Sequence, residues 1–318
     1  MSYPLSYKDN KESEVSPYHI LSLDGGGIRS LLSAVLLERL EASVPGYLSR
    51  VGLFAGTSAG AILALSLASG MSSRQARQLY EKCACRVFAD SLTDDLRDLG
   101  NLIGAEYAIE PLKEVLDFHF GDRTLGDLPK RVLVSAFDLD NNLADPKTIR
   151  SWKPKFFHNF PGEDTDCDER IVDVAIRSCA APVYFPIYQG YIDGGVVASN
   201  PSMCALAQVI DRSNGGKLLI DLRLLSIGTG KNPKYLHTPD GNWGLYQWAP
   251  ILINLILDGN SDTVDYQCRK VLGNRYFRVN PILPYPISLD QVDQIPSLKQ
   301  VAAQQDLSAA LEWLKNTV

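Results

Sequence analysis

Gly56-Thr57-Ser58-Ala59-Gly60 fits the pattern G-x-S-x-G, in which a serine sits at a tight strand-to-helix turn and the flanking glycines let other backbone come close. In that setting the hydroxyl acts as a nucleophile, and the start of the following helix favours the negative charge that develops beside it. The match alone is a weak signal, because a small-residue helix cap with Ser58 as N-cap has the same sequence. Its context strengthens it: Val51-Gly-Leu-Phe-Ala55 predicts a strand leading in, and Ala61 to Ala68 an apolar helix leading out.

A nucleophile for acyl transfer needs donors for the oxyanion. Asp24 is followed by Gly25, Gly26 and Gly27, then Ile28 and Arg29. Successive glycines can turn their N–H groups toward one point, which makes an anion hole where a strand becomes a helix. Arg29 would add charge there or anchor the loop through an ion pair. A rival reading is a dinucleotide-binding module, since Gly25 and Gly27 match the first two glycines of G-x-G-x-x-G. Ser30 stands where the third glycine is required, and Glu41 comes too early for the acid that binds the ribose.

The nucleophile also needs a base. The chain has only four histidines, His19, His119, His158 and His237. In the order Ser, acid, His, the natural candidate is His237, which lies in a polar loop without glycine framing. Tyr191-Ile-Asp193-Gly-Gly195 offers a better-placed carboxylate at the end of a short apolar strand, where glycines allow another loop to approach. Asp193 is therefore the expected base. A carboxylate is a weak base in water, so the site must be partly desolvated, which raises its pKa.

These residues need a scaffold. Tyr18 to Leu23 predicts a buried strand running into the glycines, and Ile28 to Val44 has the apolar period of a helix. The second strand-turn-helix unit follows at once, and two in series favour a mainly parallel sheet with crossover helices on its faces. Helices are predicted over 74–88, 111–120 and 173–178, strands over 131–137 and 222–227, an exposed acidic loop over 162–169, and one closing helix over 297–315. Trp243 to Leu257 is apolar and aromatic. It predicts a core helix, or else a segment that lines a groove or touches a bilayer.

Length and composition limit the function. The 318 residues, 45% hydrophobic and 21% charged, suit one large α/β domain over 18–318 after a polar leader at 1–17. A net charge of −6 with no basic stripe disfavours nucleic acid as a partner. The charged N-terminus lacks the apolar run of a secretory signal, and no apolar run reaches the roughly 20 residues of a membrane span. The expectation is a cytoplasmic protein with at most peripheral membrane contact. The six cysteines lack C-x-x-C spacing, so reduced thiols are expected, with neither a zinc site nor a disulfide framework.

Together, Asp24-Gly-Gly-Gly-Ile-Arg29, Gly56-Thr-Ser-Ala-Gly60 and Asp193-Gly-Gly195 resemble the oxyanion loop, nucleophile elbow and aspartate motif of the patatin-like phospholipase family. Ser178 to Pro186, Ala198-Ser-Asn-Pro201 and Ser226 to Gly230 extend the similarity, which covers about residues 18 to 280. The resemblance implies a three-layer α/β/α fold and a Ser58–Asp193 dyad without a catalytic histidine. It also implies an oxyanion site at Gly25, Gly26, Gly27 and Arg29, no metal or other cofactor, and hydrolysis of acyl groups from phospholipids or galactolipids at a membrane surface. Because the family includes storage proteins, a storage or scaffold role with a vestigial site is the alternative.

Overall fold

The computed structural model describes residues 17–88, 104–141, 149–237 and 241–317, so the leader expected at 1–17 falls almost wholly outside it. The strands are β1 (Tyr18–Leu23), β2 (Val51–Thr57), β3 (Arg131–Asp138), β4 (Lys153–His158), β5 (Tyr191–Asp193), β6 (Leu222–Ile227) and β7 (Tyr276–Val279). The helices are α1 (Ser30–Ser43), α2 (Tyr47–Arg50), α3 (Ala59–Ala68), α4 (Ser73–Phe88), α5 (Glu110–Phe120), α6 (Ile171–Cys179), α7 (Gly195–Ala198), α8 (Ser202–Ile210), α9 (Leu245–Leu272), α10 (Ile295–Gln304) and α11 (Ser308–Thr317).

One sheet runs in the order β4-β3-β2-β1-β6-β7, parallel throughout except for β4 at its edge. Alternate residues of its strands feed two cores, as the period of two requires. Leu21, Leu23, Phe54, Val134, Leu225 and Ile227 pack on the side of α1, α3, α4, α5 and α6. Ile20, Leu53, Ala55, Leu133, Leu222 and Leu224 pack on the side of α8 and the C-terminal half of α9. The fold is thus the expected α/β/α sandwich. All ten residues of α3 are buried, which explains why its sequence is apolar on every side.

β5 completes the sheet in an unusual place. β4 occupies one edge of β3 from Leu133 to Asp138, so β2 and β5 must share the other. β2 runs parallel along it until Thr57 pairs with Ser135, and β5 takes over antiparallel where Asp193 pairs with Ala136. Two adjacent positions of β3 therefore bring the ends of two strands together that lie far apart in the chain.

Some elements depart from the sequence reading. The closing helix is two helices, because Asp306 turns its carboxylate onto the N–H and hydroxyl of Ser308 and starts α11 afresh. β4, β7 and α8 have no counterpart in the prediction. Tyr246, Leu252, Leu255 and Ile256 of α9 are exposed, so the N-terminal half of this helix is not the core helix expected there. No helix among the described residues is long and apolar enough to cross a membrane.

The elbow depends on bare backbone. A Cβ on Gly60 would lie 2.4 Å from the Leu23 carbonyl oxygen and 2.5 Å from that of Asp24, which are backbone atoms of a central strand end and cannot swing aside. Gly60→Ala is expected to lower the free energy of unfolding by about 2–3 kcal/mol, measured by urea denaturation.

Candidate active site

The glycine loop leaves the C-terminal end of β1, Ser58 follows β2 and Thr229 follows β6, so the candidate residues gather beyond the carboxyl ends of neighbouring parallel strands. In open α/β sheets this is where ligands bind. Ser58 stands between β2 and α3 with φ 54° and ψ −129°. This is a strained conformation for a side-chain-bearing residue, and it holds the hydroxyl clear of the turn.

The Ser58 hydroxyl donates a 2.5 Å hydrogen bond to Oδ2 of Asp193, whose Oδ1 accepts the Gly195 N–H at 2.6 Å. Asp193 is buried, and the loss of water pushes its pKa up to about 6, against the opposing pull of the Ser58 and Gly195 hydrogen bonds. A carboxylate with that affinity can accept a proton near neutral pH.

A hydroxyl network holds this pair in register. The Ser58 N–H donates to the Ser178 hydroxyl, which in turn donates to the Ser135 carbonyl. Thr57 donates to the Ala198 carbonyl, leaving Ser135 to donate to Thr57 Oγ1 across 2.7 Å. Thr57 and Ser178 lie inside the quoted motifs and Ser135 lies in a strand, but nothing in their type or spacing signals this hydroxyl network, so the sequence reading gave them no role.

The glycine loop differs in part from the expectation. Gly25 spends its N–H on the Ser199 carbonyl at 2.8 Å, so it has no donor left for an oxyanion. The N–H groups of Gly26 and Gly27 have no partner among the described residues, and Ala59, first in α3, has no intrahelical acceptor for its own. Gly27 has φ 52°, and a Cβ there would meet the Leu289 carbonyl oxygen at 2.2 Å. Its own carbonyl accepts a hydrogen bond from the Tyr80 hydroxyl. Arg29 is buried, lies outside the lining of the cavity and forms no ion pair among the described residues, so the expected anchoring through it is not made.

The ion pair that anchors the loop comes from further along the chain. Asp24 meets Arg278 of β7 through two contacts, of 2.5 and 3.2 Å, and both side chains are buried. Ser261 of α9 donates to Asp24 and accepts from Arg278. Burial pushes the Asp24 carboxyl up and Arg278 opposes this, while the carboxylate holds Arg278 protonated. Neither Arg278 nor Ser261 belongs to a recognisable pattern, and only the folded chain pairs them with Asp24.

The site opens into a cavity of about 270 Å³ whose lining is almost wholly apolar, including Ile62, Val87, Phe88, Leu112, Phe185 and Leu257. Gly25, Gly26, Gly27, Ser58 and Asp193 lie along its wall. Cys179 lines it too, with its thiol kept neutral by burial. None of the four histidines does: His19 is buried at the start of β1, and His237 lies in an exposed loop.

The family described as patatin-like phospholipase matches residues 21–206, more than half of the chain. The chain belongs to the patatin-like phospholipase family. CotR of Bacillus subtilis (strain 168) is 31% identical over 95% of this chain and 98% of its own length. A cGAMP-activated phospholipase of Pseudomonas aeruginosa is 33% identical over 84% of this chain and 79% of its own. Among solved structures, VipD from Legionella pneumophila superposes with a TM-score of 0.44 at 14% identity, covering 95% of this chain and 67% of that one. Within the family match lie the glycine loop, the elbow and the Asp193 motif, whereas Ser261 and Arg278 fall beyond it.

Because the pKa of Asp193 is raised in the folded chain, its charge costs stability. The fold is favoured fully below the unfolded value of 3.8, and that advantage is lost as pH rises through about 6. Asp193→Asn is therefore expected to be more stable than the natural chain at pH 8, by about 2 kcal/mol, with the difference closing as pH falls from 6 to 4. Thermal unfolding followed across that range checks both the sign and the window.

Proposed function

We propose that the chain is a lipid acyl hydrolase of phospholipase A type, a single catalytic unit over 18–318 that cleaves fatty acyl esters of phospholipids or galactolipids. The observation that carries this reading is the Ser58 hydroxyl donating to a buried carboxylate at the wall of an apolar cavity. Family membership supports the substrate class, and the cavity supports it physically, since each methylene of an acyl chain moved out of water contributes about 0.8 kcal/mol.

In the proposed reaction Asp193 takes the Ser58 proton as Oγ attacks the ester carbonyl. The new C–O bond converts the carbonyl to a tetrahedral oxyanion facing the free N–H groups of Gly26 and Gly27, with Ala59 at the head of α3. Protonated Asp193 then returns its proton to the leaving alcohol as the ester bond breaks, which leaves an acyl-serine. Water attacks that ester while Asp193 again accepts a proton, and the fatty acid departs as Ser58 regains its hydrogen. Every proton transfer uses one carboxylate, which burial has tuned toward neutrality.

On phosphatidylcholine in mixed micelles, Ser58→Ala and Asp193→Asn should each reduce kcat by at least about 10³-fold, whereas His237→Ala should stay within about twofold. Full activity in either of the first two variants, with native circular dichroism, refutes the dyad. Asp193 must be ionised to act, so kcat/KM should fall as pH drops through about 6 and level off above it. An acid limb centred near 4 would mean that the base is a solvated carboxylate elsewhere.

A further inference from the structure

The two halves of α9 have opposite characters. In the C-terminal half Val264, Cys268 and Leu272, spaced by four, pack into the core beneath the sheet. In the N-terminal half Trp248, Leu252, Leu255 and Ile256 recur at three- and four-residue steps and face outward, the last three 42, 50 and 45% exposed. An exposed apolar stripe of this kind marks an interaction surface rather than ordinary scatter. Ile256 and Leu257 also line the cavity, so the stripe runs without interruption from solvent to the wall of the candidate site.

A second stretch of the lining has the same construction. Pro182, Tyr184 and Phe185 line the cavity, while Val183 and Ile187 beside them point out, 53 and 62% exposed. Val183 has φ 77°, a left-handed conformation that β-branched residues rarely adopt. It is held there by flanking backbone bonds, since the Val183 carbonyl accepts from Glu106 and the Tyr184 carbonyl from Tyr107. Strain maintained in this way at a site rim is a feature of functional surfaces.

We propose that these two apolar rims, the α9 stripe and the Val183–Ile187 turn, seat the chain on a lipid surface without net charge. The proposal rests on the acyl-hydrolase reading and adds where and how the substrate surface is met. Continuity with the cavity selects the occupant: a protein or a second copy lying across both rims would seal the mouth, whereas a lipid surface supplies the acyl chains that the cavity accepts. Trp and Tyr suit the interface, and Tyr246 is 90% exposed beside Trp248. Charge narrows the choice further. Between Lys234 and Arg269 there is no Lys or Arg; Asp262 and Asp265 are paired with Lys231 and Arg269, and the chain as a whole carries a net charge of −6. Docking must therefore be hydrophobic, and anionic lipid should oppose it.

The test uses the full chain. Ser58→Ala protein is sedimented with phosphatidylcholine vesicles with and without 30 mol% phosphatidylglycerol, a composition chosen for the assay at about physiological salt. Leu252→Glu/Leu255→Glu and Ile187→Glu are added to that background, and Leu218→Glu/Ile220→Glu, at the far end of the sheet before β6, serves as control. Partition onto phosphatidylcholine should fall about tenfold or more in the rim variants, stay unchanged in the control, and weaken when the anionic lipid is included. With Ser58 intact, hydrolysis of soluble p-nitrophenyl butyrate should persist in the rim variants while hydrolysis of vesicle phospholipid drops.

Unchanged vesicle partition in the rim variants overturns the docking surface, as does stronger binding to anionic vesicles. A dimer in solution that the α9 variant dissociates, without vesicle binding, assigns the face to a second copy and also overturns it. Absence of esterase activity toward the soluble ester in the natural chain would count against the hydrolase reading instead.

Discussion

The arrangement at the site depends on one strand edge. β3 gives the same side of its backbone first to β2 and then to β5, and the exchange occurs between Ser135 and Ala136. Because β2 arrives parallel and β5 antiparallel, both strands end at the point of exchange, with Ser58 leaving one and Asp193 closing the other. The 2.5 Å contact between them follows from backbone pairing, which is far stiffer than two side chains reaching across a cleft. Antiparallel β4 on the other edge of β3 holds the template straight through the junction.

That junction concentrates costs that the surrounding structure must offset. Ser58 occupies a conformation worth on the order of 1–3 kcal/mol of strain, and Asp193 is a buried carboxylate whose raised pKa reports incomplete compensation. The offsets are local. The fully buried α3 packs behind the turn, and bare backbone lets it approach β2 at Gly56 and the end of β1 at Gly60. Ser178, Ser135 and Thr57 satisfy the polar groups that the tight turn exposes. Such a centre is held by the packing and pairing immediately around the turn, and the poorly compensated carboxylate at its heart is the group able to take a proton.

The sequence carried this site unevenly, for physical reasons. Glycine-rich turns are legible because no other residue tolerates backbone approaches such as that of Gly60 to the Leu23 carbonyl, so the elbow and the Asp193 motif stood out. β1, β2, β3 and β6 were legible because burial on both faces makes parallel strands continuously apolar. β4 was not: Lys153-Pro-Lys-Phe-Phe-His is an edge strand, and lysine and proline are what protect an edge from further pairing. The helix break at 305–307 was hidden because Leu298, Val301, Leu311 and Leu314 keep a helical period on both sides of it. Gly25 and Arg29 were misjudged for another reason. Type and spacing locate a loop, but which N–H is already spent and which side chain is buried off the cavity wall are set by Ser199 and by packing, residues distant in sequence.

Arg278 shows where local patterns end. The family match stops at residue 206, yet the glycine loop inside that match leans on the C-terminal third of the chain: Asp24 on Arg278 and Ser261, Ile28 on the Leu289 carbonyl, and Gly26 against Thr229. A buried carboxylate deprived of its guanidinium costs about 3–5 kcal/mol, enough to favour release of the loop over retention of an unpaired charge. This last third therefore acts as a clamp on the glycines rather than an appendage. Through Ser261 the clamp includes α9, the same helix whose other half forms the apolar rim. A force that shifted α9 would reach Asp24, one residue before the glycine loop begins, through Ser261, and α7, next to Asp193, through the bond from Asn260 to the Val197 carbonyl.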